Sequence, residues 1–297
     1  MKRKPGLIDP LTSQGAARGR LFIVGTPIGN LEDITLRAIR TLKEVDVIAC
    51  EDTRRTQQLL KHYDIRTRTI SYHEHNEMTR APELVIDMER GTSIALVTDA
   101  GMPVISDPGF RLVHLAIRHN IPVVPVPGAS AFVAALAASG MPVESFRFLG
   151  FLPAKKGARR KTLEDLKSST KTLVFYEAPH RVVETLKDVR EILGDVDIVV
   201  AREVTKVHEE FLRGTVSEVL ERLKKAPVKG ELTLLVSPPL PTKSPPATGG
   251  SIQKELAQVM SERSLDERAA LKLVARARGI SRSEAYRQLQ LEKRGPQ

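Results

Sequence analysis

Apolar positions along the chain alternate between two rhythms. Short runs such as Leu21-Phe-Ile-Val-Gly25 end in turn residues and read as buried strands, whereas Leu31, Ile34, Leu36, Ile39 and Leu42 recur at helical spacing. The alternation continues through a strand at 45–50, a helix at 53–61, a strand at 67–72, a helix at 77–90, a strand at 93–98, a helix at 109–118 and a strand at 122–126. Regular alternation of this kind predicts an α/β domain over 21–127 with a largely parallel sheet. A second α/β unit is expected over 128–236. Its helices fall at 128–138, 158–166, 181–192 and 215–223, its strands at 146–151, 171–176, 197–202 and 231–236, and a short extended piece at 208–213. Two such domains in tandem leave a cleft between them.

The ends of the chain follow different rules. Residues 1–20 mix Pro, Gly, Ser and Arg without periodicity and read as a flexible basic arm. Residues 237–250 contain five prolines, which favour a semi-stiff linker over ladder or helix. Residues 251–297 read as a small helical domain, with one helix over 266–278, Gly279 as its stop, and Ser281 with Glu284 as a capping box for the next. Ala275, four residues before Gly279, suits either a helix-turn-helix or a plain helical hairpin.

Charge and composition narrow the function. The net charge of +10 is carried mostly by the ends: residues 1–20 hold +4, residues 239–297 hold +5, and the body only +1. A polyanionic partner would be met mainly by appendages, unless the basic tails serve only solubility. Cys50 is the single cysteine, which excludes an internal disulfide framework. No apolar run approaches the roughly 20 residues of a membrane-spanning helix, so no membrane association is expected and the cytoplasm is the default compartment.

Candidate chemistry clusters where strands end, the usual ligand edge of an open sheet. Gly25-Thr-Pro-Ile-Gly-Asn30 lacks the third glycine of a dinucleotide fingerprint and the Gly-Lys-Ser/Thr of a phosphate loop. Glu32 and Asp33 at the next helix start would repel a pyrophosphate. Thr26, Pro27, Gly29 and Asn30 are nevertheless placed to meet a ligand. Glu51-Asp-Thr-Arg-Arg55 sets two acids and two bases at a sheet edge, either to position a polar substrate or to cap a helix. His73 and His75, two residues apart, would point to opposite sides of a strand without a third ligand, so no metal is expected. The segment Thr98–Gly109 empties a strand into a loop with two Asp, two Pro and two Gly, suited to wrapping a ligand with backbone groups. Pro127–Ala131, Tyr176–Arg181, Ala201–Lys206 and His208–Glu210 are further loop positions, where binding competes with plain surface ion pairs.

Taken together and in order, these segments resemble the tetrapyrrole-methylase-like, class III S-adenosylmethionine-dependent methyltransferases. The matching stretches are Gly25–Ile34, Glu51–Arg54, Ser71–Asn76, Thr98–Gly109, Val126–Ser130, Phe175–Arg181, Arg202–Lys206 and Gly230-Glu231, spanning about residues 21–236. The resemblance implies S-adenosylmethionine in the interdomain cleft. Asp99, Ala100, Gly101, Pro103, Val104 and Ile105 would line one side, Ser130 and Ala131 another, and Tyr176, Ala178, Pro179, Glu231 and Leu232 the second domain's side. It also implies 2′-O-methylation of a cytidine ribose in small-subunit (16S) ribosomal RNA, with naked rRNA or the assembled small subunit as partner. A tetrapyrrole or another small molecule is the alternative acceptor. Glu51, Asp52, Lys206 and Glu210 are the candidates to orient or activate the hydroxyl, and Arg54, Arg202 and His73 to contact substrate. RNA capture would fall to the basic arm, the run Lys155–Lys161 and the C-terminal helices. Homodimerisation is a further expectation of the family.

Overall fold

Alternate residues along the strands of the N-terminal half face two different helical layers. The computed structural model describes residues 19–224, 228–238, 251–263, 265–278 and 280–294. Most of the expected basic arm and Pro-rich linker therefore lies outside the described residues. Strands β1 (Leu21–Val24), β2 (Val47–Cys50), β3 (Arg68–Ser71), β4 (Ile94–Val97) and β5 (Val123–Val126) form one parallel sheet in the order β3-β2-β4-β1-β5. Leu21, Ile23, Val47, Ala49, Ile94 and Leu96 pack on helices α3 (Glu77–Glu89) and α4 (Phe110–Arg118). Their neighbours Val24, Ile48, Cys50, Ala95 and Val97 pack on α1 (Leu36–Glu44) and α2 (Thr53–His62). The chain reverses its direction of travel across the sheet between β1 and β4, and the carboxyl ends of those strands are the switch point where such sheets present ligands.

One helix differs from its periodicity. Leu31–Asp33 is a single 3-10 turn capped by Asn30, and α1 starts only at Leu36 because the Thr35 hydroxyl accepts the Ala38 amide at 3.1 Å. Leu36 is consequently 86% exposed rather than part of the core.

The second sheet is mixed. It consists of β6 (Phe146–Phe151), β7 (Thr172–Glu177), β8 (Asp197–Arg202), β9 (Glu210–Thr215) and β10 (Leu232–Val236), in the order β6-β7-β10-β8-β9. The β6–β7 pair is parallel; β10 runs antiparallel to both β7 and β8, and β9 antiparallel to β8. One face buries Phe175, Val200 and Leu234 under α6 (Lys156–Asp165), α7 (Val182–Leu193) and α8 (Val216–Leu223). The other packs Val174, Val199 and Leu235 on Ala135 and Leu136 of α5 (Ala131–Ser139). Within α6 the basic run is partly consumed by structure. Arg159 is buried against Asp188 of α7 at 2.7 Å, and Arg160 bridges Asp188 and Glu191, leaving Lys155, Lys156 and Lys161 as its exposed charges.

The chain divides into two compact units between residues 239 and 240. The C-terminal unit holds three helices among its described residues: α9 (Ile252–Arg263), α10 (Glu267–Arg278) and α11 (Arg282–Arg294). Their shared core includes Ile252, Leu256, Leu271, Val274, Ala285 and Leu289. The expected Ser281 cap is present, accepting the Glu284 amide at 3.1 Å. Glu292 reaches back to cap α9, accepting from Ser251 Oγ and from the Ile252 and Gln253 amides at 2.7–3.1 Å.

Candidate active site

The loops leaving β1 and β5 meet backbone to backbone. A Cβ on Gly25 would lie 2.7 Å from the Gly128 Cα, so both positions exclude any larger residue. Beside them Thr26 and Gly101 exchange backbone hydrogen bonds of 2.9 and 3.1 Å, and the buried Thr26 hydroxyl donates to the Thr98 carbonyl at 3.2 Å. These contacts shape the loop after β4. Val104 (φ +76°) and Ser106 (φ +65°) adopt left-handed backbone conformations that β-branched and bulky residues rarely tolerate. The twist directs Ile105, Ser106 and Asp107 inward.

They line a cavity of about 440 Å³ between the two sheets' loop edges. Of the residues expected around a cofactor, Asp99, Ala100, Gly101, Ile105, Ser130, Ala131, Tyr176, Ala178, Pro179, Glu231 and Leu232 lie on its wall. Pro103 and Val104 do not: Pro103 is buried, and Val104 packs on the core of the first sheet. The wall also holds groups that the sequence did not assign to cofactor or substrate, notably Arg55, Met102, Ser106, Asp107, Phe151 and Glu177. The apolar contributions include Ile28, Met102, Ile105, Phe151, Val204 and Leu232. Ser130, the N-cap of α5, makes no side-chain capping bond, so the first amides of that helix remain for a ligand.

Charge on the wall is unevenly committed. Both Asp99 oxygens are taken, one by the Asp52 amide at 3.1 Å and the other by Arg55 at 3.2 Å. The buried Glu177 is likewise occupied, by the Ala178 amide at 2.8 Å, Thr185 Oγ1 at 2.6 Å and Arg181 at 3.2 Å. This brace holds the Ala178-Pro179 turn. Glu51 accepts from the Thr98 hydroxyl at 3.1 Å. Burial pushes the Asp107 carboxyl up to about 6; the Thr98 hydroxyl opposes the shift, and the Glu51 and Asp99 charges add to it. Burial also raises the Tyr176 phenol, with Asp107 and Glu231 contributing, so it stays neutral.

Among the four catalytic candidates, only Glu51 reaches the cavity wall. Asp52 caps α2 and accepts from Arg54, whose hydrogen bonds hold its carboxyl below the usual range. Lys206 joins Glu203 at 2.9 Å and Glu231 at 3.2 Å. Partial burial would pull its ammonium down, but those carboxylates outweigh burial and raise it, making Lys206 a fixed cation. Glu210 pairs with Arg202 at 2.8 Å across β8 and β9. Of the substrate candidates, Asn30 caps the 3-10 turn and its amide donates to Thr205 Oγ1 at 3.1 Å, joining the two halves. Gly29 lies against the Lys206 side chain, and Arg54 is 89% exposed. Pro27 sits between the buried Thr26 and Ile28. His73 begins a turn in which its amide donates to Asn76 Oδ1, and its ring lies 5.9 Å from that of His75. The described residues contain no group of three potential metal ligands.

Comparison with known proteins places this geometry. The tetrapyrrole (corrin/porphyrin) methylase profile matches residues 20–220. A protein named ribosomal RNA small subunit methyltransferase I from Halalkalibacterium halodurans is 56% identical over 219 residues, 74% of this chain and 76% of its own length. Its namesake from Micromonospora olivasterospora is 43% identical over 287 residues, 95% of this chain and 90% of its own. Among solved structures, uroporphyrin-III-C-methyltransferase from Thermus thermophilus aligns with a TM-score of 0.53 at 22% identity, over 74% of this chain and 94% of that one. Cobalt precorrin-4 methyltransferase aligns with a TM-score of 0.56 at 18% identity, over 73% and 94%. The two structural likenesses establish a shared fold; the profile match and the sequence identities establish descent, and the chain belongs to the tetrapyrrole (corrin/porphyrin) methylase family.

Proposed function

We propose that this protein methylates the 2′-hydroxyl of a cytidine ribose in small-subunit (16S) ribosomal RNA, using S-adenosylmethionine. The observation that carries the choice of acceptor is sequence identity. Relatives named ribosomal RNA small subunit methyltransferase I are 43% and 56% identical to this chain, whereas the tetrapyrrole enzymes share its fold at 18–22% identity. A small-molecule methyltransferase would share the body but have no need of the positive charge at the ends of the chain.

The cavity's chemistry suits the cofactor. Its volume falls in the usual range of roughly 300–1,000 Å³ for small-ligand sites. Ile28, Met102, Ile105 and Leu232 offer apolar surface to an adenine, the uncapped amides of α5 an anchor for a carboxylate, and the acidic wall a complement to cationic groups. When bound, the cofactor supplies an electrophilic methyl group on a positively charged sulfur. The chain's own contribution is largely positioning, since an in-line transfer depends on holding two reactants at the right distance and angle. The Asn30–Thr205 contact joins the two halves beside the cavity, and the Lys206–Glu231 pair holds a wall residue within the second half.

RNA would be drawn by the exposed Lys155, Lys156 and Lys161 on the body and by the basic C-terminal helices. In this reading the enzyme works in the cytoplasm as a homodimer. The exposed Phe146 and Phe151 on edge strand β6 supply apolar surface for such contact. No helix among the described residues is long and apolar enough to cross a membrane.

The test incubates the purified protein and radiolabelled S-adenosylmethionine with small subunits lacking the modification. Label that resists alkali at a cytidine ribose is the expected result. Cofactor binding without RNA label would instead assign a small-molecule acceptor.

A further inference from the structure

An exposed phenylalanine is ordinary on a protein surface, but Phe151 is aimed and braced at the cavity wall. Its strand, β6, pairs with β7 in regular register as far as Phe148 opposite Val174, then slips by one residue before Phe151 meets Tyr176. Gly150 sits in the slip with φ +65°, and a Cβ there would lie 3.1 Å from Oγ of Ser106 on the wall. A bulge of this kind re-aims the side chain that follows it. Here it returns Phe151 to the face that carries Phe148 and Tyr176. The rings then run in series: Phe151 lies 5.6 Å from Tyr176, Tyr176 5.1 Å from Phe148, and Phe148 4.3 Å from Phe132 of α5. Arg181 fixes the chain beyond. It donates to the Leu152 carbonyl at 2.6 Å and pairs with the buried Glu177 at 3.2 Å. At the end of this supported series the Phe151 ring is still 56% exposed.

The position suits one kind of ligand. A cavity of about 440 Å³ has room for one small molecule, so an acceptor attached to a polymer must approach from the mouth. Methylation of a ribose hydroxyl there needs the sugar held against rotation, and the rigid handle nearest to a ribose is its own base. An aromatic side chain takes a base on its π face. Four and five residues further on, the exposed Lys155 and Lys156 supply charge for the phosphates that flank such a base. Phe146, the other exposed ring of this strand, lies off the wall and is the one left to subunit contact when Phe151 is occupied.

We infer that Phe151 is the stacking platform for the base of the nucleotide whose ribose is methylated. The inference rests on the RNA-methylation reading of the site. Phe151 touches the substrate away from the reacting atoms, and it orients the ribose by fixing the ring attached to it. Every base has a π face, so the platform orders the nucleotide and leaves its identity to polar contacts and RNA shape.

The experiment compares wild type with Phe151→Ala, Phe151→Leu and Phe151→Trp. The chain contains no tryptophan, so F151W also places a single fluorophore at the contact. Four readouts are taken. They are single-turnover methylation of unmodified small subunits at saturating S-adenosylmethionine, calorimetric affinity for that cofactor, sedimentation, and F151W emission on adding a protein-free 16S transcript with S-adenosylhomocysteine present. F151A should be slower by about 10–100-fold, the scale of one lost base stack. F151L should stay within threefold of F151A, because apolar bulk does not replace a π face, whereas F151W should stay within threefold of wild type. Cofactor affinity and sedimentation should match wild type in all three, and the transcript should quench the F151W emission. An F151L rate equal to wild type would overturn the platform, as would unquenched emission. A loss of cofactor affinity would overturn it in favour of adenine contact, and a change in sedimentation in favour of subunit contact. If wild type binds cofactor but leaves the RNA unmethylated, the methylation reading falls, and the emission of F151W still decides whether a base stacks at this position.

Discussion

Substituting Gly128 by Ala tests whether the floor of the cavity depends on contact between two bare backbones. The added Cβ would sit 2.7 Å from Gly25 Cα, 2.8 Å from its carbonyl carbon and 2.9 Å from its oxygen. Non-bonded carbons rest about 3.5–4.0 Å apart, so the two loops must part by roughly 1 Å. Neither neighbour is a side chain that can swing away. Overpacking of this kind costs about 1–3 kcal/mol, and loss of the adjacent Thr26–Gly101 hydrogen bonds adds about 1 kcal/mol or more. A body of this size loses about 2–4 °C in thermal midpoint per kcal/mol, so a fall of roughly 5–15 °C is expected. Ser130 and Ala131, two and three residues after Gly128, would move with it, which should lower methyl transfer by about a hundredfold. Scanning calorimetry and single-turnover assays measure both effects. Gly157→Ala is the control, because nothing lies within 4 Å of its new Cβ and it sits in α6, where Ala should raise stability slightly. If G128A and G157A melt together and methylate equally fast, the Gly25–Gly128 contact does not shape the cavity.

Three further outcomes follow from the same structure. Asp188→Ala leaves Arg159 buried without its partner and should cost about 3–5 kcal/mol in urea unfolding, whereas the double change Arg159→Met with Asp188→Leu should recover most of the loss. The folded Asp107 carboxyl titrates at about 6, above its ordinary 3.8, so the native state binds the extra proton between those values and stability falls as pH rises from about 4 to 6. D107N should therefore stabilise the protein by about 1–2 kcal/mol at pH 7.5, allowing for solvent screening, and by nothing at pH 4; equal gains at both pH values would refute the sign. Replacing Lys155, Lys156 and Lys161 by Ala should weaken RNA binding and lower its salt slope by up to about 0.7–0.9 per residue without changing the melting temperature.

Much of the fold was legible because strand and helix periodicities differ and each strand's alternating residues meet a different helical layer. The ligand-facing loops were legible as well, since Gly, Pro and Asp accumulate after β1, β4 and β5. What escaped was anything decided by backbone handedness or by distant partners. Asp107 lies in a segment marked for ligand contact, but only the left-handed turns at Val104 and Ser106 bring it to the wall. Glu177 looks like one more charged loop residue until Thr185 and Arg181 fold back on it. The run Lys155–Lys161 reads as one basic patch, yet Arg159 and Arg160 belong to Asp188 and Glu191, about thirty positions away. Helix α9 carried a signal that could have been used: Ile252, Leu256, Val259 and Met260 share a helical face, and its cap at Glu292 is forty residues distant.

The central position of β10 also governs when the enzyme becomes complete. β10 is the final strand of the body to be synthesised, yet it fills the gap between β7 and β8. Until it leaves the ribosome, those two strands carry unpaired edges, and the cores on both sides lack Leu232, Leu234, Leu235 and Val236. The same delay withholds Glu231, Leu232 and Thr233 from the cavity wall. A nascent chain therefore cannot present a finished site, and ligand binding doubles as a readout that the whole body has been made and closed.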